Sequence, residues 1–222
     1  KLEIFERKTS ANFRKTGYVL KCDIRKFFDS VNHKILLEII GRRIRDKRLL
    51  ALISQIVFSF ATDRGKGLPL GNVTSQLFAN VYLNELDQFV KHKLRAKCYV
   101  RYCDDFVLAN ESLNVLGVWV KAIKHFCKNR LSLDLHKRKI IFRKIHQGAD
   151  FLGYVVLPHY KVLRTKTKKR ILTKLACLKS DFSENKITKE RLRQSAQSYL
   201  GILSHCKGNN TKKAINTTLK SK

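Results

Sequence analysis

"YVRYCDDFVLA" (99–109) sets two adjacent aspartates, Asp104 and Asp105, between two runs of strand-forming residues. The pattern predicts strand, tight turn, strand. A tight hairpin carries its turn residues at the tip, so both carboxylates project from one edge. Alone, such a pair is an ordinary polar turn, because Asp is common in turns. The background changes that weighting: 47 Lys and Arg face 17 Asp and Glu, a formal charge of +30. Acid is scarce in this chain, and here two acids stand together.

Upstream, "YVLKCDI" (18–24) is a second short run of strand formers, with Asp23 near its end. If this strand lies beside the hairpin, three carboxylates converge. Bare like charges a few ångströms apart repel and force up a pKa. Divalent cations remove the conflict, and oxygen-only ligands suit Mg²⁺. Two such ions roughly 3.5–4 Å apart can activate a 3′-hydroxyl and stabilise a departing pyrophosphate in an in-line phosphoryl transfer.

The remaining segments supply a scaffold. "DSVNHKILLEII" (29–40) has helical spacing, with Asp29 or Ser30 as N-cap. "RLLALISQIVFSFA" (48–61) is apolar on more than one face, which predicts a well-buried helix. "TDRGKGLPLGN" (62–72) is a Gly- and Pro-punctuated loop. Long helices are expected over 75–94 and 113–131, a strand near the end of 131–142, and a hairpin element at 149–157. After Pro158 the composition shifts to two basic helical stretches, 164–180 and 188–205. The order predicts an α+β palm with its antiparallel sheet covered by helices on one face, followed by a helical piece. The expected domains are 1–157, with 1–17 a polar, weakly periodic lead-in, and 158–222.

The apolar fraction of 44% suffices for a core, and the apolar windows are too short to span a bilayer. A surplus of thirty positive charges favours a polyanion, above all nucleic acid, as partner. Six dispersed cysteines without a CxxC pair read as thiols in a reducing compartment, not as a disulfide frame or zinc site. The first residue is Lys1 and the sequence contains no Met, which reads as a piece of something longer.

"YCDD" (102–105) resembles the YxDD box of reverse transcriptases. "KCDIRKFFDSVNH" (21–33) resembles their motif A, "GLPLGNVTSQLFANVYLNELD" (67–87) motif B, "LDLHKRKI" (133–140) motif D and "FLGY" (151–154) the primer grip. All five stand in family order. The resemblance implies an RNA-directed DNA polymerase with palm and thumb, and only a remnant of the fingers at 1–17. Asp23, Asp104 and the Ile24 carbonyl would be ligands of two Mg²⁺ ions (Mn²⁺ as the alternative), and Asp105 a supporting or second carboxylate. Phe28 would be the steric gate against a 2′-hydroxyl, while one of Phe27 and Phe28 belongs to the core. Lys139 would put a charge or proton donor near the leaving pyrophosphate; read from composition, it is one more lysine among 47 basic residues. Leu70, Gly71, Ser75 and Gln76 would lie against template or nucleotide, and Phe151, Leu152 and Gly153 against the primer end.

The implied partners are an RNA template, a DNA or RNA primer and dNTPs, with no membrane, in a prokaryotic or phage-encoded cytoplasmic setting. "LGNVTSQ" (70–76) has Leu70 and Gln76 where group II intron enzymes resemble QGxxxSP. This form is similar to the enzymes of diversity-generating retroelements, which copy RNA with errors at adenines and work with a small basic accessory protein. An intron-, retron- or defence-type enzyme, or a non-catalytic RNA-binding protein on a truncated scaffold, is the alternative.

Overall fold

A computed structural model describes residues 1–63 and 65–220; residue 64 and residues 221–222, the last two of the expected domain 158–222, lie outside it. The chain forms two compact units, 1–144 and 145–222. The division falls before the three short strands of 149–163 rather than at Pro158, so those strands group with the basic helices.

In the first unit the order is α1 (Leu2–Thr9), β1 (Tyr18–Asp23), α2 (Phe27–Ser30), α3 (His33–Gly41), α4 (Lys47–Phe58), α5 (Val73–Gln88), β2 (Tyr99–Tyr102), β3 (Asp105–Asn110), α6 (Leu113–Leu131) and β4 (Ile141–Lys144). The four strands form an antiparallel sheet in the order β2-β3-β1-β4. Side chains alternate across it. Leu20 and Cys22 of β1, with Phe106 and Leu108 of β3, belong to a core shared with Leu36 of α3, Tyr82 and Leu83 of α5 and Ile123 and Cys127 of α6. On the opposite face Lys21, Asp23 and Asp105 approach the sheet end, while β3 is covered nearer its other end by α1. The expected α+β palm with helices on one face is therefore present, modified by this extra helix.

Tyr82 ties the layers together. Its hydroxyl donates to the Leu131 carbonyl (2.6 Å) and accepts from the Asn32 N–H (3.4 Å), and the residue is fully buried.

Several local expectations are corrected. Residues 1–17 contain α1, whose inward stripe Leu2, Glu6 and Thr9 was hidden by the polar types that occupy it. The cap of α3 is Asn32, whose Oδ1 accepts from the Ile35 N–H at 3.2 Å. Asp29 and Ser30 instead belong to the single turn α2, which extended Val31 ends. The predicted 75–94 helix starts at Val73, capped by Asn72, and passes after Gln88 into a π-helical turn over Phe89–Lys93. Helix α4 is not well buried: Val57 is its buried residue, whereas Leu49, Leu52, Ile56 and Phe58 are exposed. Apolar residues on several faces proved no guide to which face finds a partner.

The second unit comprises β5 (Ala149–Phe151), β6 (Tyr154–Leu157), β7 (Tyr160–Leu163), α7 (Thr165–Ser183), α8 (Lys189–Ser204) and α9 (Asn209–Lys220). Its strands form one antiparallel meander. A small core collects Leu163, Ile171, Leu175, Ala196, Leu203 and Ile215. Neither β7 nor α9 was expected; among the described positions of α9 the buried residues are Thr211 and Ile215, and one apolar residue of the two leaves little periodic signal.

Glu6 is fully buried, and neither carboxylate oxygen has a hydrogen-bond partner. Burial, with the nearby charge of Glu3, pushes its carboxyl from 4.5 up to about 8. The folded chain thus favours the protonated form, so this group's stabilising contribution is complete below about 4.5 and is lost as pH rises toward 8. Glu6→Gln, neutral throughout, is expected to melt close to the parent at pH 5 and above it at pH 8, measured by circular dichroism.

Candidate active site

The β1–β3 register decides where the acids lie. Asp23 and Asp105 are direct cross-strand partners, so their side chains leave the same face of the sheet. One residue further, the Ile24 N–H donates to the Asp104 carbonyl at 3.2 Å. The strand pairing thus gathers all three aspartates at one end of the sheet. Between β2 and β3 the connection is the two residues Cys103 and Asp104, with Cys103 at φ +52°. A positive φ at the first loop residue follows the twist of a two-residue hairpin, at some cost for a residue with a side chain. Exposed Tyr102 flanks the tip.

Beyond Asp23 the backbone is held by the 133–140 segment. Arg25 N–H donates to the Asp134 carbonyl and His136 N–H to the Asp23 carbonyl, each at 2.8 Å. These bonds bracket Ile24 and make no use of its carbonyl. They also bring Lys139 to the acids: its Nζ lies 2.8 Å from Asp23 Oδ2. Lys21, two residues before Asp23 and on the same face, places its Nζ 3.0 Å from Asp105 Oδ2. Asp105 Oδ1 is buried and has no hydrogen-bond partner.

Both hairpin carboxyls titrate above the ordinary Asp range. For Asp104 burial is the main cause; the charge of Asp23 adds to it, and Lys139 works against it. For Asp105 burial again leads, opposed by the hydrogen bond and charge of Lys21 and reinforced by Asp23 and Asp104. The three acids therefore feel one another's charge. Among the described residues, no three His, Cys, Asp or Glu side chains are gathered as a closed metal-binding group: Asp23 turns to Lys139 and Asp105 to Lys21. The donor chemistry nonetheless fits a hard divalent cation. It is oxygen-only, mutually repelling, and includes the buried, orphaned Asp105 Oδ1.

The Gly-rich loop is stapled to the segment after β1. Leu68 N–H donates to the Phe28 carbonyl (2.8 Å), Gly67 N–H to the Val31 carbonyl (2.9 Å), and buried His33 meets the Gly67 carbonyl through Nε2 (2.6 Å). Gly67 sits at φ +109°, and a Cβ there would meet Thr62 at 2.6 Å. Phe27 is core, edge-on to Phe28 with ring centroids 5.4 Å apart, and Phe28 is half-buried. Leu70 is 76% exposed, Gly71 has φ +88° with open space around it, and Gln76 is exposed. Ser75 is buried within α5, with its hydroxyl unpartnered. Ser75 stands three and four residues before Phe78 and Ala79, so it shares the face of α5 that is buried.

Phe151, Leu152 and Gly153 lie in the second unit, at the turn between β5 and β6. Phe151 is buried and Leu152 exposed; Leu152 and Gly153 have φ +52° and +83°. Lys21 was missed as a site residue, although its spacing of two from Asp23 on a strand put both on one face.

The model of the family "Reverse transcriptase (RNA-dependent DNA polymerase)" matches residues 2–156. The chain belongs to the reverse transcriptase family. Its curated relatives include Protein YkfC of Escherichia coli (27% identical, covering 62% of this chain and 46% of the relative). The group II intron-encoded protein LtrA of Lactococcus lactis is 26% identical over 67% of this chain and 35% of its own length. The Retron Ec73 reverse transcriptase of E. coli is 33% identical over 62% of this chain and 41% of its own. The chain spans less than half the length of each of these three. A telomerase structure from Candida tropicalis is similar across 98% of this chain and 41% of that one, with a TM-score of 0.57 at 13% identity. That likeness concerns the fold, a polymerase palm-like α+β arrangement. Among the described residues no helix is long and apolar enough to cross a membrane.

Since Lys21 opposes the upward pull on Asp105, Lys21→Met is expected to move the Asp105 titration to still higher pH. Carboxyl-carbon NMR across a pH series measures the shift; an unmoved Asp105 would break the assigned pairing.

Proposed function

We propose that this chain is the catalytic core of an RNA-directed DNA polymerase that copies an RNA template into cDNA from a DNA or RNA primer. The observation that carries the reading is the pairing of Asp23 with Asp105, with Asp104 bound to Ile24 beside them. Asp23, Asp104 and the Ile24 carbonyl would hold Mg²⁺, or Mn²⁺ in its place, with Asp105 as supporting or second carboxylate. Bound there, the ions would supply charge neutralisation and Lewis acidity for phosphoryl transfer. Lys139, beside Asp23, stands where a cation or proton donor could serve the leaving pyrophosphate. The half-buried Phe28 ring, with Phe27 edge-on behind it and its carbonyl bound by the Leu68 N–H, would be the gate that excludes a 2′-hydroxyl.

In the second unit, α7 buries Ile171 and Leu175 and exposes Lys166, Lys168, Lys169, Arg170 and Lys174. Such a face suits the backbone of a template–primer duplex, giving sequence-independent, salt-dependent affinity. These helices are the proposed thumb, and the turn at Phe151, Leu152 and Gly153 the proposed primer grip.

The finer reading is error-prone copying within a diversity-generating retroelement, with a small basic accessory protein as partner. It rests on "LGNVTSQ": exposed Leu70 would offer the templating base no polar group, and mispairing would cost less there. The intron- or retron-type reading is the second, supported by the names of the relatives.

Primer extension on an RNA template with Mg²⁺ and dNTPs tests the activity. Cumulative cDNA synthesis is expected from the parent, and none above background from Asp104→Asn. RNA binding without extension by the parent would favour the non-catalytic alternative. Sequencing of the cDNA tests the subtype: Leu70→Gln is expected to lower misincorporation opposite adenine, and equal error rates would reject the role given to Leu70.

A further inference from the structure

We propose that Asp87 and Arg101 are a positioning pair that fixes the peptide carrying Asp104, a role that rests on the polymerase reading. Arg101 lies near the end of β2, and Asp87 near the end of α5. The guanidinium grips the carboxylate at two points: Nε to Oδ1 at 2.8 Å and Nη2 to Oδ2 at 2.7 Å. Tyr99 Oη adds a bond to the same Oδ1 at 2.7 Å. The pair is largely shielded, with side-chain exposures of 10% for Arg101 and 18% for Asp87. The remaining nitrogen, Nη1, donates to the Cys103 carbonyl at 3.0 Å and reaches Asn80 Oδ1 at 3.5 Å.

Cys103 is the turn residue with φ +52°. A backbone in that region persists where its surroundings over-determine it. Arg101 holds the carbonyl just before Asp104, and the Ile24 N–H holds the carbonyl of Asp104 itself. Both peptide planes at Asp104 are thereby tied, one through Arg101 to the long helix α5 and the other to β1. A surface ion pair would not achieve this. The fork geometry lets one guanidinium grip a carboxylate with one edge and a backbone carbonyl with another, which a lysine ammonium cannot reproduce. Both act on Asp104 through the hairpin backbone.

Single-nucleotide incorporation by the full-length protein carrying this chain tests the pair, with Arg101→Lys, Asp87→Asn, Asp87→Glu and the double variant Arg101→Lys/Asp87→Asn. Displacing a reacting geometry by about 1 Å can cost on the order of a hundredfold in rate. Arg101→Lys and Asp87→Asn are expected to lower kcat by roughly tenfold to a hundredfold, with KM for dNTP and the Kd for primer–template unchanged. The double variant should lose no more than the worse single one, because the two residues act as a unit. Asp87→Glu, which keeps both carboxylate oxygens, should recover part of what Asp87→Asn loses. Arg42→Ala, which removes an exposed ion pair to Glu85 on the same helix, should match the parent.

Parent-like kcat in Asp87→Asn would overturn the proposal. So would losses that track the melting temperature and vanish on cooling. If Arg101→Lys fails to fold, the near-isosteric Asp87→Asn decides alone. A parent that extends no primer would fail the polymerase reading itself and remove the pair's catalytic role with it. An active parent with indifferent variants would fail the pair alone.

Discussion

The antiparallel register of β1 against β3 is the constraint on which the site depends. Cys22 faces Phe106 and Leu20 faces Leu108 inside a core closed by α3, α5 and α6. Because strand side chains alternate with period two, burying those four fixes Lys21, Asp23 and Asp105 on the other face. A slip of one residue would carry the aspartates into the core and the apolar residues out of it. The apolar packing that stabilises the sheet therefore also sets the position of its acids, and no separate device is needed to bring Asp23 to Asp105.

Much of this was legible in the sequence because the signals were local and mutually consistent. The hairpin at 99–109, the strand ending at Asp23 and the 113–131 helix each had a clear period and clear ends. The separation of Phe27 from Phe28 into core and half-buried positions follows from their adjacency. What was not legible depended on partners distant in sequence. Glu6 and Thr9 are polar and yet line the buried side of α1, which no hydrophobic period reveals. Helix α4 has an apolar composition that suggests burial, while its actual exposure depends on what lies opposite it. Ser75 is a polar residue on the buried face of α5, in line with Phe78, Ala79 and Tyr82, and its side-chain type hid that.

The counter-ions show the same split. Lys21 could be assigned to the face of Asp23 from spacing alone, whereas Lys139 reaches Asp23 across 116 residues. Only the bonds that lay the 133–140 segment along the end of β1 single this lysine out from so basic a background. Its contact with Asp23 is what distinguishes it from the other lysines.

That basic background raises a question of magnitude. Thirty surplus positive charges acting at full strength would hold every carboxyl below its ordinary pKa, yet Asp104 and Asp105 are pushed upward. Exposed charges are screened over about 8 Å at physiological ionic strength, so most of the lysines and arginines are too distant to act. Burial and neighbouring aspartates operate at contact range and prevail over the far field. The two ammonium groups that do count are Lys21, 3.0 Å from Asp105 Oδ2, and Lys139, 2.8 Å from the neighbouring Asp23 Oδ2, and even they offset the rise only in part. A cluster in this condition favours a further positive charge at contact range, which the distant cations do not supply. The scarcity of acid in this chain thus sharpens the contrast between a long-range positive field and one short-range site that is still undercompensated.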